Sequence, residues 1–244
     1  MGGNRAPLAL GALVAGAILG STPASRAGFF QAPGPPNPET APAVRYSKLD
    51  RVTCEAELGR RGISFTAVDE ARGVLAPVRL QGPLHGVTFR TGLPASQRAT
   101  SVWEIVDCRL ALALDDFAAQ LAAHDVVEVI HFSVYRPPVA TWPDGKQASR
   151  HPGALAIDAA SFVKKDGKIL QVERDFHGRI GATTCGTGAG PRPSTPEAAE
   201  LRSILCDAAG ARLFNVMLSP DYNWPHRNHF HLEVTAGAKW FIVR

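Results

Sequence analysis

Apolar and polar positions alternate in patterns that divide the globular part of the chain into short strands and two longer helices. Residues 62–91 hold three strand-like segments, GISFTAV, VLAPVRL and HGVTFRT, separated by Gly and Pro. Residues 103–124 contain neither Gly nor Pro and are rich in Ala and Leu, which predicts a helix. Residues 195–209 predict a second helix, which Ser194 or Thr195 can cap.

Period-two patterns predict the remaining strands. They lie at 126–135, at 154–163 and 169–176 as a hairpin joined by the turn KKDGK, and at 214–219, 228–234 and 240–243. Strands and helices in this order predict an α+β fold. We expect a single domain with a mixed or mainly antiparallel sheet and two main helices.

The first 27 residues have the pattern of a secretory signal peptide. Arg5 is followed by an apolar run, Ala6 to Gly20, and Ser25-Arg26-Ala27 offers small residues for cleavage. The alternative is a membrane anchor, but the run is 15 residues long and a span needs roughly 20. We therefore expect an exported protein, periplasmic or extracellular, with no stable membrane span after signal cleavage.

Residues 28–45 contain five prolines and little apolar periodicity, which predicts an extended linker before a domain at 46–244. The formal charge of the whole chain is +4. Removing residues 1–27 takes away Arg5 and Arg26 and no acidic residue, which leaves +2. No Lys/Arg stripe of the kind that nucleic acid requires is present, so we expect no nucleic-acid partner.

The four cysteines indicate two disulfides. An even number of cysteines in an exported chain favours cross-links over thiol chemistry, and no CxxC spacing suggests a zinc ribbon. Three pairings are open. Cys54 with Cys108 and Cys185 with Cys206 closes the shortest loops, and we prefer it.

Two segments, SRHPGALAID and PHRNHFHLEV, carry the candidate chemistry. The first supplies His151 and Asp158, and the second supplies His226, His229 and His231. Imidazole nitrogens and a carboxylate oxygen are the ligands of a mononuclear zinc site, and three protein ligands leave a fourth position open for water. The combination indicates a metallohydrolase.

The strand NHFHLEV presents two faces. His229 and His231 share one face, while Phe230 and Leu232 lie on the other and belong to the core. Glu233 follows on the histidine face, where it could orient an imidazole. An exposed surface glutamate is an equal alternative.

His151 and Asp158 are seven residues apart, a spacing that would put them on opposite faces of one regular strand. Pro152-Gly153 resolves this, because His151 can lie in a turn and Asp158 on the strand that follows. Asp158 could instead be a buried carboxylate that caps a turn. A carboxylate among apolar residues is costly unless it is paired or bound to metal.

The pattern of Ser149, His151, Ala156 and Asp158 with a later HxH resembles the LAS group of zinc peptidases. That group includes D-alanyl-D-alanine carboxypeptidases and dipeptidases, murein endopeptidases and the hedgehog signalling domain, and the resemblance implies their fold. Many members have a glycine three residues after the histidine. Here Gly153 is two residues after it.

The chain also resembles the extensin-like C-terminal family of bacterial secreted proteins. The resemblance covers roughly residues 50–234 and rests on the segments SVYRPP, FNVMLSPDYN and HRNHFHLEV. Tyr135 stands where that family often has a cysteine.

These resemblances imply a role for each candidate residue. The zinc ligands would be His151, Asp158 and His231, and His229 would be the general base or transition-state partner. His226 matches an additional active-site histidine of murein endopeptidases in the LAS group.

Arg136, in SVYRPP, matches an arginine that holds a substrate carboxylate or the developing oxyanion. Its planar fork suits either task. An ordinary salt bridge at a strand end is the alternative for this residue.

The expected function is therefore a secreted zinc metallopeptidase that cleaves peptides of peptidoglycan, in the stem or the cross-link. Zinc lowers the pKa of bound water to about 7 and polarises the carbonyl. The substrate follows from the resemblance and the export signal. A non-catalytic zinc-containing module that binds wall peptide or protein is one rival, and a metal-free structural wall protein is another. The residues do not distinguish a carboxypeptidase from an endopeptidase.

Overall fold

The computed structural model describes residues 1–3 and 37–244. Apart from its first three residues, the predicted signal peptide lies outside the described residues, as does the predicted linker up to residue 36. No helix within the described part of the chain is long and apolar enough to cross a membrane.

The last residues of the predicted linker are folded. They form a 3-10 turn at Pro38–Thr40 and helix α1 at Pro42–Tyr46. Ala43 and Val44 are fully buried, so this segment packs on the domain where the prolines had suggested an extended chain. Proline suits the first turn of each element, because the amide hydrogen that it lacks has no partner there.

The remaining helices are α2 Arg51–Arg60, α3 Ala95–Arg98, α4 Cys108–Ala123, α5 Val172–Asp175 and α6 Pro196–Gly210. The strands are β1 Phe65–Ala67, β2 Pro77–Leu80, β3 Thr88–Thr91, β4 Val106–Asp107, β5 Val126–His131, β6 Ala156–Lys164, β7 Ile169–Gln171, β8 Val216–Leu218, β9 Phe230–Glu233 and β10 Ile242–Val243. The fold is α+β in a single domain, as predicted, and α4 and α6 are the two longest helices.

Seven strands form a mixed sheet in the order β10-β8-β9-β6-β5-β3, with β7 also paired to β6. The pairs β3–β5 and β8–β10 are parallel, and the other pairs are antiparallel. A second, antiparallel sheet has the order β1-β2-β4.

The register of β6 against β9 separates the core from the candidate site. Asp158 lies opposite His231, while Ile157 lies opposite Leu232. Successive side chains point to opposite faces of a strand. The apolar pair is fully buried in the core, and Phe230 of the same face packs edge-on against Phe176 with ring centroids 5.3 Å apart. The other face therefore carries Asp158 and His231.

Several predicted strands are shorter in the structure, such as the one predicted at 126–135, which ends at His131, and two predicted elements differ in kind or in where they begin. The predicted strand at 169–176 ends at Gln171, and α5 follows. A helical turn buries Val172, Asp175 and Phe176, at spacings of three and four residues, on the same side, which a strand could not do. The predicted helix at 103–124 begins only at Cys108, because the side chain of Asp107 accepts a hydrogen bond from the Arg109 amide at 3.0 Å and caps it.

Both disulfides have the preferred pairing, Cys54–Cys108 and Cys185–Cys206. The first joins α2 to the start of α4. The second joins α6 to the loop before it, and this loop also contacts the segment leading to the candidate site.

Candidate metal centre

His151 is held in a tight turn, as predicted. It begins a 3-10 turn, His151–Gly153, and Ala154 follows with a left-handed backbone. A Cβ atom on Gly153 would overlap the carbonyl oxygen of Ala148, so only glycine fits there. The position of this glycine, two residues after the histidine, is therefore a requirement of this particular turn.

Three predicted ligands meet in the structure, one from the turn and two from paired strands. His151, Asp158 and His231 each offer a ligand atom, and these atoms lie within 4.8 Å of one another. His151 Nε2 and His231 Nδ1 are each 3.1 Å from Asp158 Oδ1. All three residues are buried.

The outer nitrogen of each imidazole has a hydrogen-bond acceptor. His151 Nδ1 lies 2.8 Å from the carbonyl oxygen of Val134, and His231 Nε2 lies 3.2 Å from Glu233 Oε2. An acceptor on one ring nitrogen fixes the orientation of the ring and directs its other nitrogen toward the cluster. Glu233 is thus buried and orients His231, which was one of the two predictions for it.

Hydrogen bonds within the cluster shift the pKa values of Asp158 and His231. Burial alone would raise the pKa of Asp158, but hydrogen bonds from His151, His229 and His231 outweigh it and hold that pKa far below its usual value. Burial likewise disfavours the charged form of His231, yet its bonds to Asp158 and Glu233 raise its pKa. Asp158 is therefore a carboxylate, the form that binds a metal ion.

The donor set and its surroundings fit a zinc ion. Two imidazoles and one carboxylate are a common catalytic set, and the outer acceptors on Val134 and Glu233 are the partners that such ligands use. His151, Asp158 and His231 would hold the ion.

Arg136 lies beside the cluster and is fixed by two acceptors. Its Nε donates to Ser133 Oγ at 2.8 Å, and its Nη2 forms an ion pair with Asp158 Oδ2. The Arg136 amide also donates to the carbonyl oxygen of His151 at 3.1 Å. Half of this side chain remains exposed, so part of its guanidinium faces the pocket.

His229 and His226 complete the group of histidines. His229 Nε2 lies 3.3 Å from Asp158 Oδ1, and its Nδ1 lies 2.8 Å from the side-chain oxygen of Asn228. The ring centroids of His226 and His229 are 5.2 Å apart. Burial and the neighbouring histidines lower the pKa of His226 to about 4, so it is neutral near pH 7.

Hydrogen bonds to the buried side chain of Asp221 hold the loop that carries His226. Asp221 is fully buried and accepts hydrogen bonds from the Arg179 amide at 2.7 Å, from Thr184 Oγ1 at 3.2 Å and from Arg202 Nη1 at 2.9 Å. Asn223, two residues later, accepts from His226 Nδ1 at 2.6 Å.

The four histidines of the site, with Asp158, Asn223 and Glu233, line an open pocket of about 560 Å³. Arg136 and Arg150 contribute to its wall, and the tilted ring of Tyr222 lies beside His226 with ring centroids 5.5 Å apart. Phe132, 46% exposed, lies beside His229 at 5.6 Å between ring centroids. The pocket reaches the buried His/Asp/His cluster, so a ligand can approach the cluster from solvent.

Among the pocket residues that sequence reasoning missed are Asn223 and Arg150. Asn223 had a detectable signal, because an asparagine two residues before Pro225 is typical of the cap of a short helical turn. Arg150 had no such signal, because its position in the pocket depends on its backbone conformation and not on a local sequence pattern.

The fold and the site define an α+β protein with a buried His/Asp/His cluster at the base of an open pocket. The family model described as Extensin-like protein C-terminus matches residues 52–244, and the chain belongs to this family. Comparisons with curated proteins and with solved structures found no match.

Proposed function

We propose that this chain is an exported zinc metallopeptidase that hydrolyses peptide bonds of peptidoglycan stem peptides or cross-links. The observation that carries the proposal is the convergence of two imidazole nitrogens and one carboxylate at the base of an open pocket, with a third histidine beside them. The resemblance to LAS-type peptidases supplies the substrate class. The two disulfides suit an oxidising compartment outside the cytoplasm.

The proposed metal ligands are His151, Asp158 and His231. A zinc ion bound there would supply Lewis acidity and an activated water. Glu233 and the Val134 carbonyl orient the two imidazoles toward the cluster.

His229 is the proposed general base. Because its Nδ1 faces Asn228, its Nε2 is directed at the cluster and can take a proton from water. The same nitrogen can then deliver that proton to the leaving amine. Such proton transfer contributes about 10²- to 10⁴-fold to a rate.

Arg136 is the proposed oxyanion donor. Ser133 and Asp158 fix one edge of its guanidinium, and the remaining N–H groups face the pocket. Donors that are held in place before reaction stabilise developing negative charge most effectively. His226, which also lines the pocket, can hydrogen-bond the substrate as a neutral imidazole.

Metal content and digestion of muropeptides test the proposal together. We expect the wild type to contain one zinc per chain and to hydrolyse wall peptides. The variant His151→Ala should lose both, whereas His229→Ala should keep zinc and lose about 10²- to 10⁴-fold in rate. His124→Ala, at the end of α4 and outside the pocket, is the matched control.

Three outcomes would contradict parts of the proposal. Full hydrolysis by His229→Ala would refute the assigned base. Zinc with no hydrolysis of any wall peptide would favour the binding module. A protein that is purified metal-free and takes up no added zinc would favour a structural wall protein.

A further inference from the structure

Arg150 has an unusual backbone conformation for a residue with a side chain. Its φ is 54° and its ψ is −142°, directly before the proposed ligand His151. This half of conformational space favours glycine, because a Cβ atom is crowded there. The carbonyl oxygen of Arg150 accepts hydrogen bonds from the amides of Gly153 at 3.1 Å and Leu155 at 2.9 Å. The turn that fixes His151 therefore also fixes the direction in which Arg150 leaves the backbone.

The side chain of Arg150 lines the pocket and makes little use of its donors. It is 74% exposed, and its Nε lies 3.8 Å from Glu233 Oε2, beyond hydrogen-bond distance. Glu233 is already engaged, since Oε2 faces His231 and Oε1 accepts from Thr235 Oγ1 at 2.7 Å. Within residues 37–244, no other carboxylate forms an ion pair with Arg150.

The two arginines of the pocket thus differ in what they can bind. Arg136 is held edge-on by Ser133 and Asp158, which suits a fixed donor to the oxyanion. Arg150 presents an unoccupied planar fork, the geometry that binds a carboxylate through two parallel hydrogen bonds. Strained backbone at a functional site is typically maintained for the contact that it makes possible.

We infer that Arg150 forms a subsite for the terminal carboxylate of the substrate peptide. This rests on the proposed function and deepens it, because a substrate bound in this way would be cut near its free carboxyl end. The enzyme would then act as a carboxypeptidase.

Two stem peptides that differ only in a terminal carboxylate or carboxamide test the inference. For the wild type we expect kcat/KM to favour the carboxylate by about 10- to 100-fold, the range of a charge-assisted bidentate contact. Arg150→Gln should abolish this preference, and Arg150→Lys should keep part of it. Arg150→Gly should abolish it without lowering the unfolding temperature, because glycine relieves the backbone.

Asp125→Gly is the matched control for that backbone effect. Asp125 has φ 57° in an exposed turn outside the pocket, so glycine at this position relieves a similar backbone strain. The carboxylate preference should remain unchanged. A loss of preference in this variant would show that the effect at Arg150 is not specific.

Failure of the inference and failure of the proposed function give different results. Equal hydrolysis of both peptides by the wild type would overturn the subsite and leave the peptidase proposal standing. If neither peptide is hydrolysed, calorimetric binding of the same two peptides to the zinc-loaded protein decides. Tighter binding of the carboxylate that Arg150→Gln removes would support the subsite, and equal affinities would overturn it.

Discussion

The buried ion pair between Asp221 and Arg202, next to the loop that carries His226, leads to a specific prediction about stability. Asp221 and Arg202 have side chains that are 0% and 8% exposed, and their Oδ2 and Nη1 atoms are 2.9 Å apart. The variant Asp221→Asn keeps the shape of the side chain and removes its charge. Arg202 is then a buried cation without a full counter-charge, although Thr184 still accepts one hydrogen bond from it at 3.2 Å.

Removing one partner of a buried pair costs about 3–5 kcal/mol. For a domain of this size, 1 kcal/mol corresponds to about 2–4 °C in Tm, so we expect Asp221→Asn to melt about 6–20 °C lower than the wild type. Asp125→Asn is the control, because Asp125 and Lys165 are both more than 60% exposed at 3.0 Å. It should cost at most about 1 kcal/mol.

Circular-dichroism melts of the two variants side by side decide the matter. Equal shifts for Asp221→Asn and Asp125→Asn would refute the reasoning that burial makes this pair important. The double variant Asp221→Asn/Arg202→Met adds a second check. It should recover part of the lost stability, since an apolar side chain replaces the uncompensated cation.

Three further predictions concern the metal, the alkaline limit and a disulfide. Zinc at about 100 times its Kd should stabilise the wild type by about 2.7 kcal/mol and raise Tm by about 5–11 °C. Asp158→Ala should show no such rise, and an equal rise would contradict the ligand assignment. Burial and the hydrogen bond to Asp116 raise the pKa of Tyr46 from 10 to about 12, whereas the unfolded chain ionises near 10. The stabilisation that comes from the neutral Tyr46 phenol should therefore be fully present below pH 10 and be lost between pH 10 and 12. Tyr46→Phe should remove this pH dependence in thermal melts. Cys185 and Cys206 are 21 residues apart, so replacing both by Ser should cost about 3 kcal/mol in denaturant melts, and a cost under about 1 kcal/mol would contradict this.

Much of the candidate site could be predicted because its residues lie in short segments with strong local patterns. The period of two correctly put His231 and Glu233 on one face, and Pro152-Gly153 correctly indicated a turn at His151. Pairing between β6 and β9 had no local signal, since Asp158 and His231 are 73 residues apart. Only the folded sheet brings them into register.

The fold was predictable where helices carry clear caps and apolar runs. Thr195 caps α6 by accepting a hydrogen bond from the Ala198 amide at 3.2 Å, as the sequence suggested. Helix α2 was missed, because only Cys54 and Leu58 are buried along it and its apolar pattern is weak. In α5 a helical turn buries Val172, Asp175 and Phe176 on one side, whereas a strand would have put Asp175 on the opposite face, so tertiary packing decided the structure.

The central position of β6 divides the cluster into parts of different local stability. Asp158 lies on a strand that pairs with β5, β7 and β9, and its partner His231 is on one of these neighbours. Backbone amides in such strands exchange with solvent only through large-scale unfolding, whereas a three-residue turn can open by itself. An ion held by Asp158 and His231 would therefore leave through opening of the turn at His151, and its residence time would be set by that local motion and not by the unfolding rate of the domain.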